Sequence, residues 1–230
     1  PFIVYNIPEL DAAVPKLSVE NLLNNFGSVP RAVERSENNH FMYYSAKLSA
    51  RAALAYSDWR APQTDLPLTF SKFLRHAEEA EDQEKAVGSL PLHYLTINAH
   101  EGISTPWVRQ ACPFFHPHRE DNFFVVDNRD FKGINCRFGM RGIVQEAHFD
   151  SRRNFIAMVR GRKRYILLPP SECDKLSLLP HGHPSARHSD VDWSDPVAVE
   201  KAGKLGDAKA TEAIIASGDM LYLPAFWFHY

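Results

Sequence analysis

The chain has 230 residues, 44% hydrophobic and 23% charged, and its 26 basic and 28 acidic side chains leave a net charge of −2. That balance is that of an ordinary globular protein rather than a disordered one, and it gives no general electrostatic pull toward nucleic acid or an anionic membrane. The length suits one domain with a core of its own, so neither disulfides nor a structural metal is demanded.

The first third reads as mixed. Ser18 caps a helix running to Phe26, which Gly27 ends. Short strands follow near Arg31–Arg35 and His40–Ser45. Thr69 then precedes a helix with Phe70, Phe73, Leu74 and Ala77 at helical spacing and a polar tail, EEAEDQEK. From Leu92 the texture turns to β: LHYLTINA, NFFVVDN, INCRFGM, GIVQEAHFD, NFIAMV, RYILLPP and AIIASGDMLYLP are short runs broken by Gly, Pro, Asn and Asp. RGRK and SGD predict two hairpins, NFIAMV with RYILLPP and TEAIIA with MLYLPAF. Between them Ser194, Asp195 and Pro196 open a short helix ended by Gly203. The order predicts a mainly β fold, a jelly-roll or cupin-like barrel with N-terminal helices packed outside. It is expected as a single domain over 1–230, a mixed helical lead-in over 1–90 and a barrel core over 91–230.

Cys112, Cys136 and Cys173 are odd in number and form no CxxC pair, which points to reduced thiols and a cytoplasmic or nuclear location. No run of about 18 apolar residues offers a membrane span. The opening PFIVYNIPEL lacks the basic start and cleavage site of a secretion signal.

AHFD carries the chemistry. His148 and Asp150, two apart on a strand, share one face, and Phe149 turns to the other. WFHY supplies His229 as a third ligand from a distant strand. Two imidazoles and one carboxylate on one side of an octahedron leave three positions open, which suits non-haem iron(II) binding a cosubstrate and dioxygen. HxD alone is common; the distal histidine and the surrounding sequence make it specific.

GMRGIVQEAHFDSRRNFIAMVRGRKRYILLPP, HGHPSARHSDVDWSDP and SGDMLYLPAFWFHY, in that order, resemble the JmjC (cupin-like) family of iron(II)- and 2-oxoglutarate-dependent oxygenases. Within it the similarity is greatest to the asparaginyl hydroxylase that inhibits hypoxia-inducible factor, densest from Gly139 to Tyr230. The resemblance implies that His148, Asp150 and His229 hold Fe(II) as the catalytic centre. Lys163 matches the partner of the distal carboxylate of 2-oxoglutarate, Tyr94 a tyrosine supporting that carboxylate, and Asn154 a cosubstrate-side asparagine. Gln145 stands where the family has threonine, so that side of the pocket is built differently. Arg187 and His188 match residues that contact the target amide, with His188 replacing a glutamine.

The implied reaction is oxidative decarboxylation of 2-oxoglutarate with O2, giving succinate and carbon dioxide and hydroxylating a protein or peptide side chain, asparagine first. An N-methyl-lysine demethylase and a non-catalytic cupin-type binding domain are the alternatives. Neither a nucleic-acid nor a membrane partner is expected. Family members continue past the third ligand, so a C-terminally truncated fragment is expected, with a homodimer in the full-length protein. Ordinary readings stand beside these. Arg152, Arg153, Arg160, Arg162 and Arg164 read as a solvated turn, and Arg187 as a partner of Asp190 or Asp192. His116, His118, His181 and His183 read as loop residues, and Phe226, Trp227 and Phe228 as core.

Overall fold

The computed structural model describes residues 1–45, 47–48, 59–82, 91–98, 105–113 and 134–230. In chain order these begin with β1 (Phe2–Val4), α1 (Pro8–Ala13), α2 (Val19–Phe26), β2 (Arg31–Ser36), β3 (His40–Phe41), β4 (Thr64–Leu68) and α3 (Phe70–Asp82). There follow β5 (Leu92–Asn98), α4 (Thr105–Ala111), β6 (Asn135–Gly139), β7 (Val144–Gln145), β8 (His148–Phe149) and β9 (Asn154–Ala157). The last are β10 (Arg162–Leu168), α5 (Pro196–Lys201), β11 (Thr211–Ala216), β12 (Met220–Leu223) and β13 (Phe228–His229). The predicted strand NFFVVDN, with His116 and His118, lies outside the described residues.

Two compact units divide the chain. One comprises Asn6–Asn39 and Thr64–Ile143 and holds an antiparallel sheet in the order β4-β2-β5-β6. Val33 sits in its middle opposite both Leu66 and Leu95, an apolar cross-strand row. The predicted helix start is present: the Ser18 hydroxyl accepts from the Asn21 N–H at 3.3 Å. At the helix end, a Cβ on Gly27 would lie 2.2 Å from the Leu23 carbonyl oxygen, so only glycine fits. Phe26 meets Phe70, Trp107 and Phe138 edge-on, tying α2, α3, α4 and β6 into one aromatic core. Because β5 pairs with β2, strands from either side of residue 90 share this sheet.

The other unit comprises Pro1–Tyr5, His40–Gln63 and Val144–Tyr230. It holds a three-stranded sheet, β1-β12-β9, a four-stranded sheet, β11-β10-β13-β8, and the parallel pair β3-β7. Tyr165, Leu167, Ala213 and Ile215 from the four-stranded sheet pack on Leu221, Leu223, Ile3 and Ile156 from the three-stranded one. The opposite face of the four-stranded sheet buries Leu168 and Phe228 with Leu176 and Leu205 from the connecting turns, and Phe149, Trp193 and Val199 join them.

The two predicted hairpins do not form. β9 pairs with β12, and β10 pairs with β11 and β13, so each turn carries the chain from one sheet to the other. Gly161 at φ +84° and Gly218 at φ +93° make those turns. The turns also bond to each other: the Met158 N–H donates to the Asp219 carbonyl at 2.9 Å, and the Gly218 N–H to the Met158 carbonyl at 2.9 Å. The reason is apolar area. Each linked pair of strands carries an inward stripe, Ile156 then Tyr165 and Leu167, or Ile215 then Leu221. Two facing layers bury both stripes together, which one hairpin in one layer does not. The content is mainly antiparallel β, as expected, while the described strands form separate open sheets rather than one closed barrel.

Candidate metal centre

β8 and β13 lie side by side, with His229 opposite His148 and Phe228 opposite Phe149. Directly opposed residues share a face, so both imidazoles project from one side and both phenyl rings from the other. The imidazole centroids are 4.2 Å apart at 55°. Asp150 follows β8 immediately, and the ligand atoms of His148, Asp150 and His229 all lie within 4.8 Å of one another.

The two histidines are aimed alike. His148 Nδ1 donates to the Glu146 carbonyl at 2.7 Å, and His229 Nδ1 to the Trp227 carbonyl at 3.2 Å, in each case two residues upstream. A carbonyl only accepts, so Nδ1 carries the proton and Nε2 keeps its lone pair for a metal. Burial first, then the closeness of His229, pushes His148 down to about 3, which leaves it neutral, the ligating form. Burial raises the Asp150 carboxyl, but His148 and His229, the Asn154 hydrogen bond and Arg187 outweigh it and hold it below the usual range. Two imidazole nitrogens and an ionised carboxylate fit a divalent ion.

Asp150 is held from three directions. The Asn154 amide donates to Oδ2 at 2.9 Å, and Arg187 donates to Oδ1 at 3.3 Å. The Phe226 N–H donates to its backbone carbonyl at 2.7 Å. Arg187, at φ +78°, and Phe226, at φ +65°, both stand in the left-handed region, which costs a side-chain-bearing residue roughly 1–3 kcal/mol. Both strained residues converge on this one ligand.

Asn154 spends its amide on Asp150, and Arg187 pairs with Asp150 rather than with Asp190 or Asp192. His188 is 1% exposed, and its ring stacks on that of His148, 4.9 Å between centroids at 23°. Its Nδ1 donates to the Ser185 carbonyl at 3.0 Å. Its Nε2 is buried without a hydrogen-bond partner. Burial, and then His148, pushes it down to about 4. Lys163 is placed by register: Leu167 opposes His229, and Lys163 shares the face of Leu167 at a spacing of two twos along β10. Its ammonium lies 5.0 Å from the Tyr165 ring centroid.

Tyr94 is buried on β5 of the other unit, opposite Gly139. Gln145 sits on β7 opposite Phe41. His183 Nδ1 accepts from the Ser185 N–H at 3.0 Å, a loop role as expected. Phe228 is core, but Phe226 is 51% exposed, because its backbone rather than its ring is what the site uses. Glu146 was legible only as part of the AHFD strand, yet its carbonyl aims His148 and its carboxylate meets His40 Nδ1 at 2.5 Å.

Residues 14–230 match the cupin-like domain family. The chain is similar to tRNA wybutosine-synthesizing protein 5 of Gallus gallus, 25% identical over 70% of this chain and 49% of that protein. It is also similar to lysine-specific demethylase JMJ30 of Arabidopsis thaliana, 27% identical over 85% of this chain and 43% of that protein. Jumonji C domain-containing protein 5 of Drosophila melanogaster is 30% identical over 47% of this chain and 27% of that protein. The chain thus spans about half the length or less of these relatives. Among the described residues no helix is long and apolar enough to cross a membrane.

Proposed function

This chain belongs to the cupin-like domain family, and we propose that it is an Fe(II)- and 2-oxoglutarate-dependent oxygenase that hydroxylates a protein side chain. The observation that carries the reading is the triad itself: two histidines with Nδ1 tied to upstream carbonyls, converging with Asp150 within 4.8 Å. Iron(II) held there supplies open positions for 2-oxoglutarate and dioxygen and the oxidising power to break a C–H bond. The chain's own residues do the rest. Glu146 and Trp227 orient the imidazoles, while Asn154 and Arg187 fix the carboxylate. Lys163, on the face that carries His229, pairs with the far carboxylate of the cosubstrate. Leu221, Leu223 and Ile156 line the apolar layer that keeps water away.

His188 supports a substrate with an N–H donor. Its Nδ1 is committed as donor, so the buried Nε2 is an acceptor lacking a partner. An asparagine amide meets that need, and asparagine as the target rests otherwise on the resemblance of ARHSDVD alone. The second reading is N-methyl-lysine demethylation, favoured by the name of the Arabidopsis relative. It is the same hydroxylation directed at an N-methyl carbon, whose product loses formaldehyde. A tRNA substrate enters through the name of the Gallus relative.

The test measures succinate release with iron and 2-oxoglutarate, then mass spectrometry on three probes: asparagine peptides, N-methyl-lysine peptides and tRNA. Gain of one oxygen on asparagine supports the first reading, and loss of a methyl group the second. Modification of tRNA alone replaces both. Failure to bind 2-oxoglutarate or release succinate overturns the oxygenase.

A further inference from the structure

A second group of ligand-type side chains lies in the same unit as the triad and supplies none of its three side chains. His40 opens β3, Glu146 follows β7, and Asp192 lies in the turn before α5. One ligand atom from each lies within 4.8 Å of the other two. Backbone pairing sets them there: His40 opposes Val144 across the parallel β3-β7 pair, and the Glu146 N–H donates to the Phe41 carbonyl at 2.9 Å.

The two sides of the His40 ring are occupied differently. Nδ1 lies 2.5 Å from Glu146 Oε1, a direct hydrogen bond with no room for an ion. Nε2 lies 3.6 Å from Asp192 Oδ2 and 3.5 Å from Ser194 Oγ, well beyond the usual hydrogen-bond distance of about 2.9 Å. Two ligands each about 2.1 Å from a shared ion, at an angle near roughly 115°, stand about 3.5–3.6 Å apart. A carboxylate behind one ring nitrogen and oxygen donors around the other is how proteins orient a metal-bearing histidine. The Glu146 side chain is nine-tenths buried, so it holds the ring from inside. The Asp192 side chain is 40% exposed, which admits an ion and the waters that complete its shell.

We propose that His40 Nε2 and Asp192, with Ser194 beside them and Glu146 behind the ring, form a second site for a divalent transition ion of the manganese or zinc class. The nitrogen and oxygen donor set selects that class over calcium. Glu146 links the two centres, its carboxylate holding His40 and its carbonyl holding His148.

The experiment counts Mn2+ bound per chain by equilibrium dialysis after chelator stripping. Wild type is expected to bind two ions, Asp192→Asn one, Asp150→Asn one, and the double variant none. Asp192→Asn keeps the acceptor for Ser194 and leaves the His40–Glu146 pair untouched, and an unchanged circular dichroism spectrum checks its fold. One ion in wild type, lost in Asp150→Asn and retained in Asp192→Asn, overturns the second site and leaves His40 as a hydrogen-bonded side chain beside Glu146 and Asp192. Loss of both ions in Asp192→Asn also overturns it, because the sites are then not independent. One ion in wild type lost only in Asp192→Asn keeps this site and removes the triad instead, so the two readings fail separately.

Discussion

Arg187 donates from a single guanidinium nitrogen to the Asp150 carboxylate at 3.3 Å and to the Phe149 carbonyl at 3.1 Å, from a backbone held at φ +78°. The resemblance that singled out Arg187 pointed to a target amide. The geometry engages it on Asp150 of the candidate triad, where it fixes the carboxylate.

Arg187→Ala is therefore expected to weaken metal binding roughly 10–100-fold, the usual cost of losing a group that orients a ligand. Peptide turnover and uncoupled 2-oxoglutarate decay should fall together. A metal titration alongside both rates checks this. Unchanged metal affinity with turnover alone reduced would return Arg187 to the substrate.

Asp150→Ala should abolish succinate release and leave a site of two neutral imidazoles, which hold a divalent ion poorly without the carboxylate. Activity at limiting iron is the measurement. Full activity there would refute the triad.

Lys163→Met keeps most of the volume and leaves the far carboxylate of 2-oxoglutarate unpaired. Loss of a charged hydrogen bond is worth roughly 1.5–3 kcal/mol, so 2-oxoglutarate affinity should fall about tenfold to more than a hundredfold. Metal affinity should hold. Calorimetric titration of both separates the two, and an unaltered cosubstrate affinity would return Lys163 to a structural role beside the Tyr165 ring.

Acid should destabilise the metal-free fold through His188. Its folded pKa, about 4, lies below the value near 6.5 of an unfolded histidine. The unfolded chain therefore binds the proton first. The contribution is whole above about pH 6.5 and is lost as pH falls toward 4, at about 1.4 kcal/mol per pH unit. Urea unfolding across that window should show a shallower acid limb for His188→Asn than for wild type. Parallel limbs would mean that His188 does not stay neutral in the fold.

Much of the centre was legible in the order of residues. AHFD puts two candidate ligands on one side of the chain because strand alternation is local, and the preference of iron(II) for imidazole and carboxylate belongs to the side chains themselves. Ser18, Thr69 and Asp195 likewise marked helix starts, since a cap acts within three residues. Pairing was not legible. NFIAMV and RYILLPP read as a hairpin, yet β9 joins β12, and β10 joins β11 and β13, because burying two apolar stripes between layers depends on strands far apart in the chain. The same distance hid the work of Arg187, Asn154, His188 and Glu146. Their residue types announced only that each could donate or accept. Which carboxylate, carbonyl or ring each one meets is set by the tertiary register that brings β8, β13 and the 185–192 turn together, since a hydrogen bond needs its partner within about 3 Å and sequence position carries no such distance.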